Sequence, residues 1–378
     1  MTFRAPRAPL ARSAVERAKR AVSGDTLARM TRAVQDLPKA HLHLHFTGSM
    51  RIGTVRDLAE THGIRLPDAL VSGWPPKLAR ATDERGWFRF QRLYDAARSC
   101  VRGEADMRRI VREAAQDDAA EGSRWLEIQV DPTSYAPFVG GITPALEIVL
   151  DEARAVSTEG GVGVGVVVAA SRMRHPLEAR TLARLAAHHA GEEAGTVVGF
   201  GLSNDERRGL VADFAPAFDI ARRAGLALVP HGGELLGAQS VMETLEHLDP
   251  DRIGHGVRCV EDPQVLDAVA EAGVTLEVCP GSNVALGVYA DPADVPLRRI
   301  VESGVPVALG ADDPLLFGSR LAAQYAAARD LGFDDKGLAR LARGSLEGSR
   351  MPPRLRKAAL ADVDAWLEKP AATPAAPA

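Results

Sequence analysis

Ala40-His41-Leu42-His43-Leu44-His45-Phe46 alternates imidazole and aliphatic side chains over its central five residues. A period of two is the mark of a β-strand, where successive side chains point to opposite faces. The alternation predicts that all three histidines share one face and both leucines the other. A strand with an apolar back and a row of nitrogen ligands in front belongs against an enclosed polar site. Such a strand needs neighbours of its own kind.

The rest of the chain supplies them. After Ala40–Phe46, short β-like runs recur at Trp125–Val130, Val164–Ala170, Val197–Leu202, Ala227–His231, Arg252–His255, Thr275–Cys279 and Pro306–Leu309. Between them lie amphipathic, helix-like stretches at Met107–Ala120, Thr143–Val156, Leu177–His189, Phe214–Ala224, Ser240–Leu248, Pro263–Ala272 and Pro296–Ser303. Gly225, Gly273 and Gly304 stand where three of these helices should stop before the next strand. Eight strands alternating with helices predict a (β/α)8 TIM-type barrel. Arg51–Arg98 reads as a helical insertion after strand one, placed to act as a lid.

In such a barrel, chemistry gathers at the C-terminal ends of the strands. Three further polar motifs fall there: His231-Gly232-Gly233-Glu234 after strand five, Gly254-His255-Gly256 at strand six and Asp312-Asp313-Pro314 after strand eight. Imidazole and carboxylate are zinc ligands, and a glutamate that does not bind the metal can carry protons. His41 and His45 lie about 13 Å apart at a rise of roughly 3.3 Å per residue, so only two of the three histidines can share one ion. His43 and His45 are nearer the strand's C-terminal end and are the preferred pair. His41 is then a buried, hydrogen-bonded residue.

His231 ends strand five in ligand position, and Glu234 follows close enough to reach the same site without binding. His255 sits between glycines that permit close backbone approach. Asp312 and Asp313 can diverge, one to metal and one to substrate, although Asp313 is also suited to cap a helix that starts at Pro314. Three histidines and an aspartate suit Zn2+ with water completing its shell, and zinc lowers the pKa of that water from about 15.7 to about 7. The chain has no lysine between Lys77 and Lys336, so no carboxylated lysine can bridge two metals. One ion per chain is expected.

Bulk properties narrow the class. The chain of 378 residues has a formal net charge of −4, which disfavours nucleic acid or an anionic membrane as partner. Its three cysteines, Cys100, Cys259 and Cys279, are far apart and form no Cys-x-x-Cys pair, so free thiols and a cytoplasmic location are expected. No stretch reaches the roughly 18 apolar residues of a membrane span. Residues 1–30 are rich in arginine and lack the apolar core of a secretory signal, and they read as a disordered or loosely helical extension. Residues 31–350 form the barrel. Residues 351–378 hold a helix at Arg354–Leu367 and an Ala/Pro tail, Pro370–Ala378, expected to be disordered.

The same residues resemble the adenosine deaminase family of the amidohydrolase barrels, from about Leu37 to about Gly318. The resemblance rests on Pro38–Ser49, where the family usually reads Pro-Lys-x-Glu-Leu-His-x-His-Leu-x-Gly, and continues through Gly199–Glu206, His231–Glu234, Arg252–Gly256, Val278–Gly287 and Asp312–Phe317. It implies zinc held by His43, His45, His231 and Asp312. Glu234 would be the proton carrier, His255 would orient the attacking hydroxide, and Asp313 would contact purine N7. The implied reaction is hydrolytic deamination of a 6-aminopurine nucleoside.

Four departures from the family pattern stand out: His41 for Glu, Asn204 for the Gly whose N–H meets purine N3, Gly310-Ala311 for Asn-Thr, and Thr47 for the Asp that bonds a 5′-hydroxyl. Thr47 makes a 5′-modified nucleoside as good a candidate as adenosine, aminodeoxyfutalosine among them, with free adenine the further alternative. Trp87, Phe88, Phe90 and Tyr94 on the insertion suit either a pocket wall or a helix core, and Phe90 is taken as a substrate contact. Cyclic amide hydrolysis would favour two metals, and a non-catalytic barrel should have lost Glu234 or a ligand.

Overall fold

The computed structural model describes residues 32–78 and 83–370. The expected N-terminal extension, residues 1–30, and residues 371–378 of the tail lie outside the described residues. Within Ala33–Lys369, one compact unit, eight strands run in sequence order as a single parallel sheet. They are β1 (Lys39–His45), β2 (Ser123–Val130), β3 (Gly163–Ser171), β4 (Val197–Ser203), β5 (Ala227–Gly232), β6 (Arg252–His255), β7 (Thr275–Val278) and β8 (Val307–Leu309). A bridge between Leu44 and Asp312 joins the last strand's end to β1: Asp312 N–H donates to His43 O and His45 N–H to Asp312 O, both at 3.0 Å. The expected (β/α)8 barrel is the fold.

Strand positions agree with the sequence to within one or two residues, and the deviations have causes. Pro306 precedes β8 rather than joining it, having no N–H to give the ladder. Cys279 leaves β7 to stand before the short helix Pro280–Ala285. Gly225, Gly273 and Gly304 adopt left-handed φ at their helix ends. The sequence reading did not single out two helices after β8, Leu321–Asp330 and Asp335–Gly348. Among the described residues, no helix is long and apolar enough to cross a membrane.

One expectation is corrected. The three histidines of β1 do not share a face. His41 pairs with Leu126 but Leu44 with Ile128, so β1 fits two residues against one of β2. This bulge breaks the alternation. Nδ1 of His41 lies 2.9 Å from Asp118 on the outer helix Glu104–Ala120, and its Nε2 accepts the Ala311 N–H at 3.0 Å. His41 is buried and hydrogen-bonded, but away from His43 and His45.

Candidate active site

The site grows from the ends of four strands. His43 and His45 come from β1, His231 from β5, His255 from β6 and Asp312 from the turn after β8. His45 Nε2 lies 3.1 Å from Asp312 Oδ1 and 3.2 Å from His231 Nε2. His43 Nε2 stands 3.6 Å from Asp312 Oδ1 and is buried with no hydrogen-bond partner. His255 Nε2 is 3.6 Å from Glu234 Oε1 and 3.9 Å from Asp312 Oδ2. Three overlapping triads bring their ligand atoms within 4.8 Å of one another: His43/His45/His231, His43/His255/Asp312 and His45/Asp312/Asp313.

The backbone is bent to achieve this. Among the described residues, four non-glycine residues have positive φ, and three of them, Asn204 (79°), His255 (64°) and Asp312 (62°), are residues the sequence had marked for the site. Such strain persists where surrounding structure enforces it, often at functional positions. Two glycines make room. A Cβ on Gly254 would meet His43 Cε1 at 2.8 Å, and one on Gly48 would lie 1.7 Å from Asp313 Oδ1.

A buried network aims the ligands. His43 Nδ1 donates to Glu277 Oε2 at 2.7 Å, and Arg252 Nε donates to Glu277 Oε1 at 2.6 Å. Arg252 also pairs with Glu127 on β2. A carboxylate on Nδ1 fixes the tautomer that leaves Nε2 free as a ligand. The loop bearing Glu234 is held by Glu206, whose carboxylate accepts the N–H groups of Gly233, Glu234, Leu235 and Leu236 and the hydroxyl of Ser240. Sequence reading missed Glu206, Glu277 and Arg252 as site residues. For Arg252 and Glu277 the available signal was a charged residue inside an apolar parallel strand, which is rarely buried without a partner; Glu206 lies in the loop after β4, where a charged residue carries no such signal.

The electrostatics are those of a crowded, water-poor cluster. Burial opposes charge on His43, but the facing Asp312 carboxylate and the bond to Glu277 prevail and push it up to about 10. Burial and the neighbouring imidazoles hold His231 well below the usual histidine range, and burial drives His255 down to about 3 despite Asp312. Burial would raise Asp312, yet the facing His43 and His45 imidazoles hold it well below the carboxylate range. Glu234 and Asp313 go the other way, raised first by burial and then by Asp312. Both are therefore disposed to be protonated donors.

The donor set fits a metal ion. Two nitrogens each roughly 2.0–2.1 Å from one tetrahedral zinc stand about 3.3 Å apart, close to the His45–His231 spacing. Converging nitrogens, an orphaned His43 Nε2 and an ionised Asp312 are the signature of ligands rather than of a hydrogen-bonded core.

Beside the cluster opens a cavity of about 480 Å3 lined by His45, His231, Glu234, His255, Asp312, Asp313, Asn204 and Thr47, among others. The insertion helix Glu84–Arg98 contributes Trp87, Phe88, Phe90 and Tyr94 to its wall. Phe90 is both wall and core: it is buried and stacks on Phe317 at 5.9 Å between centroids. Thr47 Oγ1 is engaged with the Tyr135 hydroxyl at 2.5 Å.

Comparison with known proteins agrees with this geometry. A family model described as adenosine deaminase matches residues 38–366. A Streptomyces virginiae protein, provisionally named adenosine/adenine deaminase, is 63% identical over 332 residues, covering 88% of this chain and 97% of that protein. An adenine deaminase of Rhizobium leguminosarum bv. trifolii is 35% identical over 326 residues, 86% of this chain and 98% of the relative. The crystal structure of adenine deaminase from Arthrobacter aurescens matches with a TM-score of 0.80 at 29% identity, covering 88% of this chain and 99% of that one.

Proposed function

The chain belongs to the adenosine deaminase family and is a hydrolytic aminohydrolase, and we propose that it converts a 6-aminopurine nucleoside, adenosine or a 5′-modified adenosine, to the 6-oxopurine nucleoside and ammonia. The observation that carries this reading is the convergence of Glu234, His255 and Asp312 beside the unpartnered Nε2 of His43. We assign His43, His45, His231 and Asp312 as the ligands of one zinc ion per chain. When bound, such an ion would acidify a water to a pKa near 7, so that hydroxide would be available at neutral pH.

The chain's own groups do the rest. Glu234, protonated in its buried setting, donates to N1 and makes C6 electrophilic. Left as a carboxylate, it then takes the proton from the oxygen added at C6 and passes it to the departing amine. His255 and Asp312 flank the space the attacking oxygen must occupy and hold it over C6. Asp313, protonated, donates to N7 and fixes the ring so that N1 meets Glu234. Each group is aimed at charge that develops during the reaction, which is where such groups lower a barrier. Water's oxygen ends on C6, the C6–N bond breaks, and the amine leaves as ammonia.

The cavity volume falls within the roughly 300–1,000 Å3 of small-molecule sites and has room for a nucleoside as well as a base. Thr47, neutral and already engaged with Tyr135, offers a 5′-hydroxyl no carboxylate acceptor, which favours nucleosides altered at 5′, aminodeoxyfutalosine included. The same feature keeps free adenine as a second reading, and the names of the relatives favour it. The test compares kcat/KM for adenine, adenosine, 5′-deoxyadenosine, 5′-methylthioadenosine and aminodeoxyfutalosine. The expected result is a nucleoside ahead of adenine, with 5′-modified substrates at least equal to adenosine. Adenine ahead of every nucleoside by 10²-fold, about 2.7 kcal/mol, would replace the nucleoside reading with the base.

A further inference from the structure

Four residues on the cavity wall carry buried polar atoms without a hydrogen-bond partner: Gln129, His231, His255 and Asp313. The last three have roles above. Gln129 has none, and both ends of its carboxamide, Oε1 and Nε2, are unpartnered although the residue is only 2% exposed. A buried carboxamide with an idle donor and an idle acceptor costs stability unless something in the working state satisfies it.

Its position limits what that something is. Gln129 lies near the C-terminal end of β2 and pairs with His45 of β1, so both side chains stand on the same face of the sheet. In the proposed orientation, purine N1 faces Glu234 after β5 and N7 faces Asp313 after β8. Going round the ring from N1 to N7 away from C6 passes N3 and then N9, and going round the barrel from β5 to β8 by way of β1 passes β4, β3 and β2. The β2 end therefore faces N9 and what it carries. The loop after β2 adds Asp131, Ser134 and Tyr135 to the same wall, and the end of β3 adds Ser171.

Resting on the nucleoside reading, we propose that Gln129 is a specificity-determining residue that hydrogen-bonds the ribose hydroxyls of the substrate. A hydroxyl both donates and accepts, and neighbouring hydroxyls match a carboxamide, which presents one acceptor and one donor side by side. Discrimination by such a contact is strong because an analogue lacking the hydroxyl leaves the buried carboxamide unpaired.

The test measures kcat and KM for adenosine, 2′-deoxyadenosine, 3′-deoxyadenosine and adenine with the wild-type enzyme and with Gln129→Met and Gln129→Glu. Metal content and unfolding temperature are measured on each protein. Wild type should prefer adenosine to at least one deoxy analogue by 10-fold or more. Gln129→Met, which fills the same volume without polar atoms, should shrink that preference to threefold or less, mainly through KM. It should also lose less on adenine, with metal content unchanged. Gln129→Glu, which keeps only acceptors, should retain part of the preference. A preference that persists unchanged in Gln129→Met overturns the assignment, as does a wild-type enzyme indifferent to both hydroxyls. Failure of wild type on every nucleoside, with adenine turned over, would sink the nucleoside reading itself and the ribose assignment with it.

Discussion

Glu206→Gln should damage stability and turnover together. The carboxylate of Glu206 receives five donors: the N–H of Gly233 at 2.5 Å, Glu234 at 3.0 Å, Leu235 at 2.6 Å and Leu236 at 2.9 Å, and the Ser240 hydroxyl. The amide keeps one oxygen for the three N–H groups on Oε2. Its NH2 then faces the Gly233 N–H donor to donor. Hydrogen bonds to a charged acceptor are worth about 1.5–3 kcal/mol against about 0.5–1.5 for neutral ones, and an orphaned buried donor costs about 1–3. Allowing for relaxation, the loss should be on the order of 4 kcal/mol, in line with the roughly 3–5 kcal/mol for breaking a buried charged network.

At roughly 2–4 °C per kcal/mol, Tm should fall by about 8–16 °C. The loop that relaxes is the one bearing Glu234, and misplacing a catalytic group by about 1 Å can cost roughly 10²-fold in rate. The change also removes a negative neighbour that helps keep Glu234 protonated, so the alkaline limb of the pH–rate profile should move to lower pH. Thermal and denaturant unfolding, read beside kcat at several pH values, check all three effects. A stability change under about 1 kcal/mol with kcat within threefold of wild type would show that the loop is held by something other than Glu206.

Three further outcomes are expected. Glu234→Gln should keep metal and bind purine but lose roughly 10²-fold or more in kcat, as loss of a general acid–base group does, whereas His231→Ala should lose the metal; near-wild-type turnover of Glu234→Gln would remove it from the mechanism. Chelation should abolish activity and lower Tm, and zinc should restore both at one ion per chain; metal analysis finding two tightly bound ions in active protein would contradict the mononuclear site. Gly48→Ala places a Cβ 1.7 Å from Asp313 Oδ1, so Asp313 must move, and an overpacking cost of about 1–3 kcal/mol predicts KM for purines raised about 10-fold or more; an unchanged KM would argue that Asp313 does not hold the base.

Much of this protein was legible in one dimension. The alternation of apolar runs with amphipathic stretches specified eight strands and the helices between them, though not the two after β8, because burial on both faces of a parallel strand and on one face of a helix are local requirements of sequence. The four polar motifs followed from the same reading, since a barrel displays strand ends on one face. Tertiary structure alone decided what periodicity cannot encode. Period two put His41 beside His43, but one extra residue in β1 turned it toward Asp118 on an outer helix, 77 residues away in sequence. Pairing in sequence says which face a side chain takes, not which distant group it meets. Glu277 under His43 and Glu206 under the Glu234 loop acquire their meaning from neighbours contributed by other strands and loops. A hydrogen bond is satisfied within about 3 Å, and only the closed barrel brings those partners that near.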